Sequence, residues 1–449
     1  MTHVASFHAF SPAEIADCRR ELVAWFRANG RELPWRSGRA ERTEREQFWM
    51  SLLSEIMSQQ TRLATVLPFF ARWLEKWPSL DAFAAASEEE VLAMWQGLGY
   101  YRRAKNLHAA AKMIVGELQG VLPRTVAELE ALPGVGPYTA GAIASVFNVS
   151  AAIVDGNVTR VLCRLRTINA PPNKANALVW RLARELVPRD AADVYDFNQG
   201  LMDLGATICT PKAPKCDACP LRANCFAFRR ATAPPVATAA PPTDIEDVCK
   251  VCVGDAAELA VTAFPAKAAK TKQRVELIAV AILHLPGSDE FVLLQRPSTG
   301  ILSDMWEFVQ VVVPEADDRR AAVDAVLRQR CGIDANSSAV VARRHVGSVQ
   351  HELTHVKQTF FVEHLVLREN VVLADGCRLF SRASLTQSAV SQGNLKCLAL
   401  VDEPAPSSRK RSKSAAAAAA TDEATTATGS TASTADSSRR AKRRNTPKV

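Results

Sequence analysis

Apolar positions recur at helical spacing through the first half of the chain. Ser11 to Glu14 form a capping box with proline at the first helical position, and the apolar stripe that follows stops at Asn29-Gly30. Thr125 to Glu128 form a second capping box directly before a glycine-rich turn. Strand-like alternation is scarce up to about residue 230, so the pattern predicts an all-α domain over residues 1–230.

The second half of the chain changes period. The Pro/Ala/Thr-rich stretch ATAPPVATAAPPT opens a predicted linker over residues 231–273. The runs VELIAVAILHL, FVLLQR, WEFVQVVV and VKQTFFVEHLVL then predict strands, with one helix near Arg319 to Arg330. These elements predict an α+β domain over residues 274–400. Residues 401–449 contain a six-alanine run and basic clusters, and we expect a disordered tail there.

Composition argues against a membrane-spanning helix and shows where the net charge lies. The chain has 449 residues, of which 48% are hydrophobic, and it has no apolar run of the ~18 residues that a membrane span needs. The start, MTHVASFHAF, does not resemble a signal peptide, so we expect an intracellular protein. Residues 404–449 hold ten Lys/Arg and three Asp/Glu, which supplies +7 of the net charge of +8. The global charge is therefore weak evidence that the folded part binds nucleic acid.

Two basic clusters in the tail, RKRSK (409–413) and RRAKRR (439–444), are typical of nuclear-targeting segments. Nonspecific electrostatic tethering to DNA is the alternative reading. We expect a nuclear protein, with mitochondria as a second compartment that the sequence does not distinguish.

One carboxylate in the helical half raises a question. In LLSEIMSQQT (52–61), Glu55 falls on a polar stripe of the predicted helix. Taken alone, this spacing indicates an ordinary glutamate that faces water.

Two glycine-containing segments offer further chemistry. In LPGVGPYTAGAIASV (132–146), Gly134 and Gly136 precede a helix expected from about Tyr138, and their N–H groups suit either a phosphate or a plain helix–turn–helix corner. In VDGNVTRVL (154–162), Asp155 is either a simple helix N-cap or a carboxylate held ionised to stabilise a cation.

The cysteines predict metal binding. Four of them have the spacing C-x6-C-x2-C-x5-C, and their residue types leave structural zinc and an iron–sulfur cluster equally open. These are Cys209, Cys216, Cys219 and Cys225. A separate pair, Cys249 and Cys252, lies in the predicted linker.

Taken together, these motifs resemble the iron–sulfur helix-hairpin-helix DNA glycosylases over roughly residues 10–230. LPWR (33–36) and GLGYYRRAKNL (97–107) are similar to the adenine DNA glycosylase (MutY) branch. The resemblance implies a 4Fe-4S cluster in the loop 209–225. Tyr138 stands where the bifunctional lyases of the superfamily carry a Schiff-base lysine, so the resemblance implies a monofunctional hydrolase. The alternative is an endonuclease III-like glycosylase with lyase activity.

The implied reaction is removal of adenine mispaired with 8-oxoguanine or guanine in double-stranded DNA, by a protein that we expect to be a monomer. By resemblance, protonated Glu55 is the acid, and Asp155 stabilises the sugar cation. The resemblance distributes supporting roles as follows: Asn157 and Tyr138 assist catalysis, Trp35 and Arg36 line the adenine pocket, and Gln60, Thr61, Tyr100, Gly134 and Gly136 contact DNA.

The second domain resembles the Nudix-like recognition domain of the same family. LLQRPSTGILSDMWEF (293–308) carries this resemblance, while AVLRQRCGI (325–333) lacks the carboxylates that bind magnesium in Nudix hydrolases, so we expect binding without pyrophosphatase activity. The resemblance assigns 8-oxoguanine recognition to Leu353, Thr354 and His355. It also implies a second metal site, for zinc, with Cys249, Cys252 and His8 as ligands and no evident fourth.

Overall fold

The computed structural model describes residues 3–232, 248–253, 260–267, 273–300, 302–315, 319–353 and 355–402. The described residues up to Leu400 form one compact unit. The predicted tail lies outside the described residues except for 401–402, as does much of the predicted linker, and the domain boundaries stay predictions. Within the described ranges, no helix is both long and apolar enough to cross a membrane.

The prediction of a helical first half is confirmed. Both capping boxes form, since the Ser11 and Thr125 hydroxyls accept from the N–H groups of Glu14 and Glu128, and the N–H groups of Ser11 and Thr125 donate to the glutamate carboxylates in return. The helices are α1 Pro12–Asn29, α2 Glu44–Ser58, α3 Leu63–Lys76, α4 Leu80–Ala84, α5 Glu88–Met94, α6 Arg102–Lys112, α7 Val126–Glu130, α8 Pro137–Val146, α9 Gly156–Leu165, α10 Pro172–Leu186, α11 Ala191–Asp203 and α12 Phe226–Thr232.

The helices build two hydrophobic cores. One is rich in aromatic side chains from α2 to α5, among them Trp49, Trp73 and Phe83. The other packs α1 against α9, α10 and α11. Helices α2 and α9 belong to different cores. A site built from residues of both helices therefore depends on how the two cores pack against each other.

The second half forms a mixed sheet with helices, which confirms the predicted α+β fold. Its strands are β1 Arg274–Leu285, β2 Glu290–Gln295, β3 Trp306–Glu307, β4 Val309–Val313, β5 Val340–Glu352, β6 Val356–Leu367 and β7 Cys377–Ser381. The order is β3-β2-β1-β6-β5, with β4 paired to β1 and β7 to β2. Only β1 and β6 are parallel partners among the described strand pairs. The remaining helices are α13 Arg319–Val326, α14 Arg382–Leu385 and α15 Gln392–Asp402.

The sheet packs directly on the helical half. Met305 and Ala389 are buried within the aromatic core of the helices. Gln96 donates a hydrogen bond to the Val390 carbonyl at 3.0 Å, and Lys105 pairs with Asp304. The two halves therefore share a packed interface inside one unit.

Candidate active site and metal centres

A cavity of about 630 Å³ opens where the helices of the two cores meet. Most of the predicted site residues line it. They are Trp35, Arg36, Glu55, Gln60, Thr61, Tyr138, Asp155 and Asn157. Tyr100, Gly134 and Gly136 do not line this cavity.

Glu55 lies in the last turn of α2 and faces this cavity. The pKa of its carboxyl is raised to about 7, chiefly by burial and also by the nearby Asp155 carboxylate, against the lowering effects of Tyr138 and Arg36. Glu55 is half-buried and its polar stripe borders this cavity, so the simplest interpretation of its spacing, a glutamate on an open surface, does not describe it.

Whereas Glu55 lies near the C-terminal end of α2, Asp155 lies at the N-terminal end of α9. It is the N-cap of α9, and its Oδ1 accepts a hydrogen bond of 2.7 Å from the Val158 N–H, while its Oδ2 accepts one of 2.9 Å from Asn157. Both bonds and the positive end of the helix dipole favour the ionised carboxylate. Of the two roles that the sequence left open, the structure shows the N-cap, and the role of a charged group that stabilises a cation stays a prediction.

Arg160 connects this carboxylate to the cysteine loop. It donates to Asn157 Oδ1 at 2.8 Å, and also to the carbonyls of Gly205 (2.7 Å) and Cys209 (2.8 Å). Gly205 packs so closely that a Cβ there would lie 2.7 Å from Asn157 Cβ. The orientation of Asn157, and through it that of Asp155, is fixed from two sides.

Arg36 is held by a residue that the sequence analysis missed. The buried Asp203 accepts hydrogen bonds from Arg36 and from Arg31, at distances of 2.6–3.0 Å. Gln199 accepts from Arg36 Nε at 2.8 Å. Asp203 sits at the end of α11 in an apolar run, and only its burial against two arginines identifies it.

The predicted hairpin forms between α7 and α8. Gly134 has φ +79°, and a Cβ there would lie 2.7 Å from Asn106 Cβ, so this turn needs glycine. Gly136 is the N-cap of α8, which begins at Pro137, one residue before the position expected. A Cβ at Gly136 would meet nothing within 4 Å, so a ligand can approach its backbone.

Gln60 and Tyr100 share an unusual backbone. They have φ of 53° and 50°, in the left-handed region that residues other than glycine seldom adopt. Tyr100 is 44% exposed, and Gln60 is exposed as well. Both side chains are therefore presented outward by strained turns.

The four predicted cluster cysteines line one small cavity, beside Ile208, Pro214, Phe228 and Val261. Burial raises the pKa of Cys219 to about 12 and that of Cys225 to about 11, a cost that a bound cation would remove. Arg164 donates to Cys209 Sγ at 3.3 Å, which suits a metal-bound thiolate. The donor set therefore fits a thiolate-bound metal centre.

A second group of ligands is compact enough for a single ion. Among the described residues, the ligand atoms of His3, His8, Cys249 and Cys252 all lie within 4.8 Å of one another. His8 Nε2 is 3.5 Å from each sulfur, and its Nδ1 lies 2.7 Å from the Arg166 carbonyl, which leaves Nε2 for a metal. The hydrogen bond from Cys252, aided by His3 and His8, lowers the pKa of Cys249 well below its usual range.

His3 is a fourth candidate ligand that the sequence analysis did not find. The segment pairs with the linker through a bridge between Val4 and Val248, and the Cys249 N–H donates to the His3 carbonyl at 2.8 Å. The two histidines of THVASFH, five residues apart, were the available signal.

The predicted recognition residues lie at the turn between β5 and β6. Leu353 is half-buried, and its N–H donates to the Val356 carbonyl at 2.8 Å, while His355 is exposed. Thr354 lies outside the described residues. The predicted helix near 319–330 begins as α13 and continues as a π-helical turn over Leu327–Cys331.

Known protein families match both the helical half and the sheet half of the chain. The HhH-GPD superfamily of base excision DNA repair proteins matches residues 53–185, and the NUDIX domain matches residues 279–400. The adenine DNA glycosylase of Mus musculus is 36% identical over 432 residues, which is 91% of this chain and 83% of the mouse protein. That of Homo sapiens is 36% identical over 439 residues, 91% and 79% of the two chains.

A solved structure of a thermostable thymine-DNA glycosylase is also similar, with 28% identity, a TM-score of 0.42, and coverage of 48% of this chain and 97% of that one. The sequence matches to the mouse and human enzymes span most of both chains. This chain belongs to the adenine DNA glycosylase family.

Proposed function

We propose that this adenine DNA glycosylase removes adenine opposite 8-oxoguanine, and more slowly opposite guanine, in duplex DNA. The observation that carries the proposal is the pair of carboxyl groups in one cavity. Burial favours the neutral form of Glu55, and the start of α9 favours the charged form of Asp155. Two carboxyl groups kept in different protonation states are the machinery of glycosidic bond cleavage.

Adenine inside a duplex cannot reach this cavity, so it must rotate out of the stack. Flipping costs a few kcal/mol, which contacts to the backbone and to the vacated site recover. The Gly136 backbone at the start of α8 has open space beside it, where a phosphate could approach its N–H. Gln60 and Tyr100 would fill the stack, and Trp35 and Arg36 would flank the base in the cavity.

Chemistry then follows from the two carboxyls. Protonated Glu55 transfers its proton to N7 of adenine as the bond between C1′ and N9 breaks, and the bonding electron pair leaves with the base as neutral adenine. The sugar becomes an oxocarbenium ion, which the Asp155 carboxylate stabilises. Water adds to C1′ and loses a proton, which leaves an abasic site. Asn157 and Arg160 hold Asp155 in place.

A lyase step has no nucleophile in this cavity. Among the described residues, no lysine lines it, and Tyr138 occupies the position next to Glu55. An amine is needed for a Schiff base with the abasic sugar. We therefore favour a monofunctional hydrolase over the endonuclease III-like alternative.

Two metal centres are part of the proposal. Cys209, Cys216, Cys219 and Cys225 would hold a 4Fe-4S cluster, since they line one cavity but are not the group compact enough for a single ion. The cluster would order a loop that carries Lys212 and Lys215 toward DNA phosphates. His3, His8, Cys249 and Cys252 would hold one zinc ion as a structural site.

Lesion recognition is assigned to the sheet half, through the turn with Leu353, Thr354 and His355. We further propose nuclear localisation, for which the basic clusters at 409–413 and 439–444 are the support. Fluorescent fusions with and without both clusters would test this.

Strand cleavage after alkali tests the activity. Duplexes with adenine opposite 8-oxoguanine, guanine, cytosine or thymine would be treated with the protein and then with hot alkali. We expect cutting at adenine only, fastest opposite 8-oxoguanine. Cutting without alkali, or a borohydride-trapped covalent complex, would instead identify a lyase.

Metal analysis tests the two centres separately. We expect four iron atoms and one zinc ion per chain. Cys219→Ser should lose iron and retain zinc, while His3→Ala should lose zinc and retain iron. Retention of zinc in a variant that lacks both His3 and His8 would contradict the assigned ligand set.

A further inference from the structure

One buried guanidinium joins the two turns that carry Gln60 and Tyr100. Arg103, the second residue of α6, is 8% exposed. Its Nη1 donates to the carbonyls of Ile56 (3.0 Å), Met57 (2.8 Å) and Gln59 (2.6 Å). Its Nη2 donates to the carbonyls of Leu98 (3.2 Å) and Gly99 (3.0 Å). The five acceptors are all backbone carbonyls, three from one turn and two from the other.

The positions of these carbonyls matter more than their number. Gln59 directly precedes Gln60, and Gly99 directly precedes Tyr100, the two residues with left-handed backbone. Such a conformation is unfavourable for a residue with a side chain, so it persists only where the surroundings fix it. Arg103 holds the peptide group immediately before each strained residue. Trp95 adds a hydrogen bond of 2.9 Å to the Gly99 carbonyl.

Arginine is suited to this task because its planar fork carries several N–H donors in a fixed geometry. Burial lowers the pKa of Arg103 to about 10, which leaves it charged at neutral pH. The carbonyls of Ile56 and Met57 belong to the last turn of α2, where the helix dipole favours a cation. The same guanidinium therefore also caps the C-terminal end of α2, the helix that carries Glu55.

We propose that Arg103 is a positioning residue that fixes Gln60 and Tyr100 as one rigid unit, so that both side chains enter the DNA stack together as adenine leaves it. This inference rests on the proposed function, which places those two side chains in DNA. Arg103 itself contacts neither the base nor the reacting atoms. Its contribution therefore lies in base flipping rather than in bond cleavage.

This distinction predicts a dependence on the substrate. If Arg103 acts through flipping, its loss should slow release of a paired adenine and spare an adenine that is already unpaired. If Arg103 only supports the fold of the cavity, both substrates should suffer equally. Misplacement of positioning groups by about 1 Å can cost about 10²-fold in rate.

Arg103→Lys tests the proposal, because lysine keeps the charge but cannot span five carbonyls. Single-turnover rates would be measured for adenine opposite 8-oxoguanine and for adenine in a single-base bulge. We expect a loss of about 10- to 100-fold for the paired adenine and at most about threefold for the bulge. Equal losses for the two substrates would overturn the proposal.

Arg19→Lys is the matched control. Arg19 also donates to three consecutive backbone carbonyls, those of Glu185, Leu186 and Val187, but at the end of α10 and away from both turns. It should leave the ratio of the two rates unchanged. In a Gln60→Ala/Tyr100→Ala background, adding Arg103→Lys should cost at most about threefold, since the side chains that it positions are gone.

A measurement on the free protein separates this inference from the proposed function. Amide hydrogen exchange should rise in both turns of Arg103→Lys, over residues 57–61 and 97–101, and stay unchanged in α9. A rise in neither turn, or in one alone, would contradict the mechanical link even in an inactive protein. Wild-type protein that releases no adenine from any duplex would overturn the proposed function and leave the exchange result standing.

A second variant covers the case that Arg103→Lys does not fold. Trp95→Phe removes one hydrogen bond from the turn of Tyr100 and retains Arg103. It should produce the same preference for the bulged adenine to a smaller degree, about two- to fivefold. If Trp95→Phe slows release of the paired adenine and of the bulged adenine by the same factor, or slows neither, the result would count against the proposal.

Discussion

Glu55 and Asp155 both place a carboxyl group in the same cavity, yet the surroundings of the two groups differ in burial and in the end of the helix that they meet. Glu55 lies in the last turn of α2, where the helix dipole is negative and burial raises the pKa of the carboxyl to about 7. Asp155 caps the start of α9, where two N–H donors and the positive end of the dipole meet it. Helix polarity and burial, more than residue type, distinguish a proton donor from a permanent anion.

The comparison is tested most severely by Glu55→Gln, which keeps the shape of the side chain and removes the transferable proton. Because general acid catalysis contributes up to about 10⁴-fold, we expect adenine release to fall by about 10³- to 10⁴-fold. Single-turnover kinetics would measure the rate, and gel shift on the same duplex would verify that binding is retained. Near-normal turnover in this variant would remove Glu55 from the acid role.

Asp155→Asn tests the second carboxyl group of the comparison, at the start of α9. Asparagine is as good an N-cap as aspartate, so α9 should remain intact while the charge is lost. We expect a rate loss of about 10²- to 10³-fold, the scale of a removed electrostatic contact in a transition state. Asp190→Asn, at the N-cap of α11, is the control and should leave the rate unchanged. A comparable loss in the control would mean that the effect comes from the fold.

Asn157→Ala should reveal how far the anion depends on its orientation. The variant removes the hydrogen bond to Asp155 and the acceptor that Arg160 uses, but keeps the carboxylate. We expect a loss of about tenfold in single-turnover rate, consistent with one hydrogen bond to a charged group. A loss as large as that of Asp155→Asn would show that Asn157 acts on the substrate directly.

The pH dependence sharpens the comparison further, because Glu55 should titrate near neutrality. With a pKa of about 7, the active protonated form declines as pH rises, and the single-turnover rate should fall about fourfold from pH 6 to pH 7.5. A rate that stays flat from pH 6 to pH 9 would show that the acid is not Glu55.

The smallest expected effect concerns stability. The pKa of Glu55 lies above its ordinary value of 4.5, so the folded state binds this proton more tightly than the unfolded state, and stability falls as pH rises from about 4.5 to 7. Glu55→Gln should therefore unfold about 2–4 °C higher than wild type at pH 8, and at the same temperature at pH 4. Thermal unfolding at both values would measure this, and a destabilised variant at pH 8 would contradict it.

Local signals in the sequence predicted much of this arrangement. Capping boxes, the glycine turn and the strand runs located about half of the helices and strands, because each signal depends on residues a few positions apart. Strand β5, which was not predicted, lies at the edge of the sheet and is mostly exposed or half-buried, so its residues VVARRHVGSVQHE show little apolar alternation. Strand β7 is short and likewise lacks a pattern.

The site was predicted less completely than the fold, for a physical reason. Glu55 and Asp155 were identified together only through family motifs, because nothing local indicates that they share a cavity. His3 and Asp203 were missed, since their roles depend on partners more than 160 residues away, at Cys249 and at Arg36. Long-range contacts of this kind leave no periodic trace in the sequence.

Gly205 shows how far from the chemistry a chemical defect can begin. It has no side chain, contacts no base in the proposed mechanism, and sits in a π-helical turn over Leu204–Ile208. Yet an added methyl group there would press on Asn157. We expect an inherited substitution at Gly205 to yield a protein that folds and binds DNA but in which Asp155 is wrongly oriented and catalysis is slow. Proximity to Asn157, rather than distance from the cavity, is the better guide when the harm of such a variant is judged.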